Sequence, residues 1–592
     1  MGNNTEHKYI TRTIFSFIFI LLLTACESEA PVQIEIQEKF PASYVFVNGN
    51  VITVNNDFDV VEAFAINDNK FVAVGSTEEV LNKVSNDVIV IDLEGQTVVP
   101  GFNDNHIHLG PGRRLQEWQG ALIPAVPEWT QGVTNMEELR HSFAGKVEVT
   151  PGEEWIKGGL TRMDWPNNKV PTRWDLDEMS PDNPVILTRG PHTYLLNSRA
   201  LELANINRDT PDPEGGWIFR DENGEPTGRI LEAAKRLVDK VAPDDEIEIS
   251  YEQGIRDMRA LLNDLISLGI TSVNISGIRP QGIAQVQELY DRYGEALPRA
   301  TMQVRLQPGH DNYDDVELGI QKEIEAIEAI GFHTGFGDER LKLGAVKMSI
   351  DGGLSAPVFW SLEEYKDRPG FYGAIRIPAE VFYPVAKRVH ELGWQLGIHT
   401  MGDGAVKMVA EQISQILREQ PRDDHRHFMH HVAVKPPDET ITLMAKNNIM
   451  VASQPAFTVG LGAYAKEALT PDRERTQNPT RSLQESGITV SHGSDTAPYS
   501  PFLTIWTAVT RKGFDGNVYG PEEAVSVKEA IRLHTVAPAY FNFDEKIKGS
   551  IQTGMLADFV ILSDNILDVQ ADEIRNLKAI KVFIDGKEIL LN

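Results

Sequence analysis

The chain has 592 residues, 41% of them hydrophobic, one cysteine and a formal net charge of -30. That length and apolar content suit a large catalytic domain with a smaller companion, and they exclude a disordered chain. The charge excludes nucleic acid and anionic membrane as electrostatic partners, since a polyanion is repelled over the whole surface, and a lone cysteine excludes an internal disulfide.

Residues 1–25 stand apart. Lys8 and Arg12 precede an apolar run over 14–23, which ends in Thr24-Ala25-Cys26. The run is short for a membrane span and reads as a secretory signal. Leu23-Thr24-Ala25-Cys26 resembles a bacterial lipoprotein box, which implies acylation of Cys26 and a protein exported to the bacterial cell envelope and lipid-anchored to a membrane. Residues 26–43, acidic and proline-bearing, are the expected tether.

From 44 to 99 short β-rich runs alternate with turns, and Asn48-Gly49-Asn50 between two such runs predicts a hairpin. Similar runs recur over 558–562 and 579–586. Segments 44–99 and 546–592 are therefore expected to pair into one small β-sandwich domain.

Between 100 and 545, helix-period segments alternate with apolar strands that end in polar residues. The expected fold is α/β, a (β/α)8 TIM-like barrel. Residues 111–240 break the repeat and predict an insertion over one mouth. Their tryptophans (Trp118, Trp129, Trp155, Trp165, Trp174 and Trp217) point to a pocket for an apolar or aromatic-bearing substrate.

Chemistry-bearing residues sit at strand ends. His106 and His108, two apart on an extended run, present both imidazoles to one side. Lys347 lies among apolar neighbours, His399 ends one run, His430 and His431 end another, and Asp495 follows Val490-Ser491-His492-Gly493-Ser494. In a parallel barrel such ends converge on one mouth, where active sites are built. Taken singly, each residue also fits a structural role, and Asp495 fits a helix cap.

Pro100-Gly101-Phe102-Asn103-Asp104-Asn105-His106-Ile107-His108, Lys347 followed by Asp351-Gly352, His399 followed by Gly402-Asp403, a late histidine, and Gly493-Ser494-Asp495 together resemble the amidohydrolase superfamily, and within it the N-substituted formamide deformylase-like branch. The resemblance implies a metal site of His106, His108, Lys347, His399 and His431 holding one or two Zn2+, with Lys347 N6-carboxylated where it bridges two ions. Arg426-His427-Phe428-Met429-His430-His431 places His431 at the ligand position and His430 where the family has Glu, so the choice between them stays open. It also implies Asp495 as general base and acid, in hydrolysis of a non-peptide C–N bond (amide, N-formyl or N-acyl) by metal-bound hydroxide.

His192 is expected to line the substrate pocket and Arg511 to be an ion-paired helix residue. The expected partner is a small-molecule amide, and the sequence leaves a homo-oligomer open. A deaminase of the same superfamily is the alternative, disfavoured by Lys347 and by the lack of Glu after His399. A non-catalytic, small-molecule-binding lipoprotein is the other, disfavoured by the full set of site residues.

Overall fold

Eight short parallel strands carry the centre of the fold: β1 (Phe102–Ile107), β2 (Ile270–Ile278), β3 (Arg299–Arg305), β4 (Leu341–Lys347), β5 (Gly397–Thr400), β6 (Phe428–His431), β7 (Met450–Ser453) and β8 (Val490–His492). In this computed structural model the described residues are 41–590, apart from 162–169, 244–248, 355–357, 367 and 497. The leader, Cys26 and Trp165 lie outside them.

Strands β1 to β4 pair in order, as do β5 to β8. Parallel bridges from Val346 to Leu396 and from Ser349 to His399 join β4 to β5. The ring closes where the Asp495 N–H donates to the His106 carbonyl at 2.8 Å and Asn105 Nδ2 donates to Ser491 Oγ at 2.6 Å. Every residue of β5, β6, β7 and β8 is buried, as strands covered on both faces require. The result is a TIM-barrel-like α/β fold.

The covering helices follow from sequence. The helix Tyr251–Ser267 opens on Ser250, whose side chain accepts from the Gln253 N–H, and buries Ile255, Met258, Leu261, Leu262, Leu265 and Ile266 on one face. Their spacing of three and four is the helical period. Burying such side chains contributes about 1.5–3 kcal/mol each, so this face outweighs the modest propensity of the polar one.

Between β1 and β2 the chain builds a separate five-stranded sheet, in the spatial order Ile156–Gly159, Val185–Arg189, Thr193–Leu196, Pro226–Glu232, Gly216–Arg220. Its strands bury their own apolar clusters, with Trp129 packed on Phe143 at 5.2 Å between ring centres.

Strands from both chain ends form two further sheets. One holds Tyr44–Val47, Ala63–Asn67, Lys70–Gly75 and Ile89–Asp92; the other joins Asn50–Ile52, Val60–Val61 and Thr97–Pro100 to Phe559–Leu562, Ala579–Ile584 and Lys587–Ile589. They share one apolar cluster, in which Phe46 meets Phe559 edge-on at 5.3 Å. The expected hairpin at 48–50 does not form, because Tyr44–Val47 and Asn50–Ile52 belong to different sheets. Asn48 takes φ 55° and Gly49 lies so close to Leu93 that a Cβ would stand 2.4 Å from Leu93 Cδ1. The Asn-Gly turn thus carries the chain across from one sheet to the other.

Arg299, 1% exposed at the start of β3, fastens these sheets to the barrel. Its Nε and Nη2 donate to Asp558 Oδ2 and Oδ1 at 2.6 and 3.0 Å.

Candidate active site

The strand-end residues meet at a cavity of about 760 Å³ whose lining includes His108, Lys347, His399, His431 and Asp495. Beneath them, His106 is fully buried at the end of β1.

Asp495 sits at the centre. His108 Nε2 lies 3.0 Å from its Oδ1, His106 Nε2 3.6 Å from the same oxygen, and His431 Nδ1 4.0 Å from Oδ2. Lys347 Nζ is 2.9 Å from His106 Nε2, and the His399 ring centre is 4.5 Å from that of His431. Asp495 and His431 both hold positive φ, 56° and 74°, a conformation that costs a non-glycine residue energy and tends to persist where surrounding structure imposes it. Asp495 caps no helix; Ser500 does so for the helix Pro501–Thr510.

Supporting groups fix this arrangement. Asp104 Oδ1 accepts from the backbone N–H of both Ser494 and His106, at 2.9 and 3.1 Å, tying β1 to the turn after β8. Gln454, just past β7, places Oε1 2.6 Å from His431 Nδ1 and Nε2 3.5 Å from His106 Nδ1. Asp351 accepts backbone N–H groups of Met401, Gly402 and Trp360 at 2.8, 2.8 and 3.0 Å and stands 3.5 Å from His399 Nε2.

Of the two adjacent histidines, His431 lines the cavity. His430 turns inward, with Nε2 3.0 Å from Gln303 Oε1, and packs on the His106 ring at 4.3 Å between centres.

Electrostatics follow burial. Desolvation holds the imidazole of His108 down to about 4 against the pull of Asp495, and that of His431 down to about 3; both are neutral, as metal ligation requires. Burial and the Arg305 charge lower Lys347 to about 7 although Asp495 opposes them. Burial raises the Asp495 carboxyl, but the hydrogen bond from His108 and the nearby Lys347 outweigh it, so the group stays ionised.

The donor set fits a divalent cation. Ligand atoms of His106, His108 and Asp495 lie within 4.8 Å of one another, and His399 Nε2 is a buried nitrogen with no hydrogen-bond partner among the described residues. Imidazole nitrogens with a carboxylate oxygen suit zinc and its neighbours.

His192 lines the cavity from the insertion, its Nδ1 2.7 Å from Glu232 Oε1. The tryptophans do not: Trp118, Trp129, Trp155, Trp174 and Trp217 are absent from the lining, which is rich in Arg, Lys, Asp and Glu. Trp118 meets Phe514 edge-on at 4.9 Å between ring centres, and Trp217 lies tilted against Phe371 at 4.5 Å. Among the described residues Arg511 makes no ion pair either. It closes its helix in the left-handed region and donates to the carbonyls of Tyr519, Gly520 and Gln477 at 3.0, 3.1 and 2.7 Å. Sequence reading missed Gln454 and Glu232; a polar residue directly after the apolar run Met450–Ser453 was the available signal for the first.

The chain resembles several known proteins. An N-substituted formamide deformylase from Arthrobacter pascens is 28% identical over 551 residues, spanning 92% of this chain and 97% of the relative. The protein LONG AFTER FAR-RED 3 of Arabidopsis thaliana is 28% identical over 560 residues, 93% of this chain and 91% of its own. An uncharacterized metal-dependent hydrolase from Pyrococcus horikoshii OT3 shares the fold, with a TM-score of 0.63 and 21% identity over 89% of this chain and 99% of that one. The model of the amidohydrolase family matches residues 89–590. The chain belongs to the amidohydrolase family.

Proposed function

We propose that this protein hydrolyses a C–N bond other than a peptide bond, in a small amide, N-formyl or N-acyl compound. The observation that carries the reading is the meeting of His106, His108 and Asp495 ligand atoms, within 4.8 Å of one another, beside a large cavity. The formamide deformylase named above supports the reaction class.

In this reading His106, His108, Lys347, His399, His431 and Asp495 hold one or two Zn2+, with Lys347 carbamylated if two are bound. A cation there supplies Lewis acidity, bringing the pKa of a water from about 16 to about 7 and polarising a carbonyl. Asp495, held ionised, orients the attacking water, takes its proton and returns it to the leaving nitrogen. A Lys347 amine lowered to about 7 is neutral often enough to add carbon dioxide. His192, braced by Glu232, presents its ring to the substrate. The two end-derived sheets are read as a β-sandwich companion, and the lipoprotein box supports anchoring through Cys26 at the cell envelope.

Elemental analysis of the purified protein tests the site. About two zinc per chain, falling sharply in Lys347→Ala, is the expected result, together with turnover of N-formyl or N-acyl amides. A metal-free protein with the site residues intact and no amide turnover would sink the reading.

A further inference from the structure

Although the chain as a whole is acidic, one wall of the cavity is cationic, lined by Arg113, Lys235, Arg236, Arg279, Arg305 and Arg376. Several of these have partners. Arg376 pairs with Asp311 and approaches Glu232 at 3.8 Å. Arg236 reaches Asp314 at 3.0 Å, Lys235 bonds the Pro191 carbonyl, and Arg279 reaches Asn312 Oδ1 at 3.3 Å. The cavity's carboxylates outside the metal cluster are engaged too: Asp311 also by Gln307 at 3.1 Å, Glu232 by His192, and Asp239 by the Tyr194 hydroxyl at 2.9 Å.

Arg305 differs. Its guanidinium has no hydrogen bond or ion pair among the described residues. It ends β3 in register with Lys347 of β4. Its stem lies beside Gly277, at a bulge in β2 where φ is +104° and a Cβ would stand 3.5 Å from Arg305 Cδ. Burial and the charges of Arg376, Arg279 and Arg113 depress its pKa to about 10, with only Asp311, itself paired with Arg376, acting the other way. A half-buried guanidinium facing like charges is costly without an anion, and its planar fork matches a carboxylate.

On the amide-hydrolase reading above, we propose that the substrate carries a carboxylate, bound by Arg305 with Arg279 and Arg113 beside it, while its amide lies over His106, His108 and Asp495. The substrate class is an N-formyl or N-acyl amino acid. Water's oxygen joins the acyl carbon, the C–N bond breaks, and a proton from that water passes through Asp495 to the nitrogen. The products are the short carboxylic acid and the free amino acid.

Matched pairs differing only in the carboxylate test this: N-formylphenylalanine against N-formylphenethylamine, the N-acetyl pair, and equivalent pairs with small, acidic and basic side chains, in both enantiomers. Both kcat/KM and calorimetric binding are read. The acid is expected to exceed its neutral partner by about 10- to 100-fold, the worth of a charge-assisted hydrogen bond. That ratio collapses in Arg305→Met and is partly kept in Arg305→Lys. Arg113→Ala, at an exposed residue, lowers it severalfold and guards against a misfolded Arg305 variant. Neutral amides turned over without preference for the acid overturn this inference and leave amide hydrolysis standing. Acids that bind tighter through Arg305 but are not cleaved support the carboxylate site and sink the hydrolysis reading. Absence of both binding and turnover across the panel, or a ratio unchanged in Arg305→Met, overturns the proposal.

Discussion

Gln454 Oε1 lies 2.6 Å from His431 Nδ1. The carbonyl oxygen of the amide can only accept, so this contact places the proton on Nδ1 and leaves Nε2 as the ring's lone pair. Outer hydrogen bonds of this kind commonly govern metal affinity by about 10- to 100-fold. Gln454→Leu is therefore expected to weaken metal binding by that factor while circular dichroism stays native. Titration with zinc against a competing chelator checks it; unchanged affinity would remove Gln454 from the site.

Asp495 is ionised and surrounded by His106, His108 and His431. Asp495→Asn keeps the shape and removes the carboxylate proposed as the base. We expect kcat to fall by about 10²- to 10⁴-fold, the range typical of a lost general base, with most of the metal retained. A near-native kcat would assign proton transfer to another group.

Glu232 gives a pH-dependent contribution of definite sign. Burial raises its carboxyl, but the charges of His192 and Arg376 outweigh it and hold the pKa down to about 2. A carboxyl lowered in the folded state stabilises above its unfolded value of about 4.5, and that stability drains away as the pH falls from about 4.5 towards 2. The contribution is about 3 kcal/mol at neutral pH. Glu232→Gln should lower the melting temperature at pH 7, and the difference from the parent should shrink below pH 4. A constant difference across that window would contradict the assignment.

Arg299 and Asp558 are both buried, at 1% and 6% exposure. Removing Arg299 leaves the buried Asp558 carboxylate without its cation, at a cost of about 3–5 kcal/mol; Asp585, the other carboxylate Arg299 reaches, keeps Arg340, so removing Asp558 as well recovers part of that cost. Arg299→Met is expected to unfold at markedly lower temperature, and adding Asp558→Leu to recover part of the loss. Additive losses would mean that the pair does not couple.

How much of this was legible in the sequence depended on whether a residue's role is local. The TIM-barrel-like α/β fold could be read because most barrel strands after the first are short runs rich in apolar residues, separated by helix-period segments. The strand-end histidines, Lys347 and Asp495 announced themselves as polar groups at the ends of such runs, and the fold brings them to one cavity. Gln454 occupies an equivalent place yet passed unnoticed, since a neutral amide is no metal ligand by composition. Glu232 was hidden because its φ of 49° and its contact with His192 depend on the insertion's tertiary path. Asn48-Gly49-Asn50 carried a true turn signal, but local chemistry specifies the turn and not which sheet receives the next strand. The tryptophans misled for a similar reason: an indole suits a core as well as a pocket.

The cavity's floor and part of its wall come from different stretches of chain. His106, His108, Lys347, His399, His431 and Asp495 stand at or just beyond barrel strand ends, while His192 and Glu232 reach in from the inserted five-stranded sheet and the segment from Ile123 to Val126 from a two-stranded sheet ahead of it. Part of the cavity wall is thus encoded apart from the strand-end cluster, while Arg305 and Arg279 of the proposed carboxylate site stand on the barrel itself. Substitutions that reshape the inserted sheet can change which molecule is admitted and leave the strand-end cluster in place, whereas the response to a carboxylate stays with the barrel.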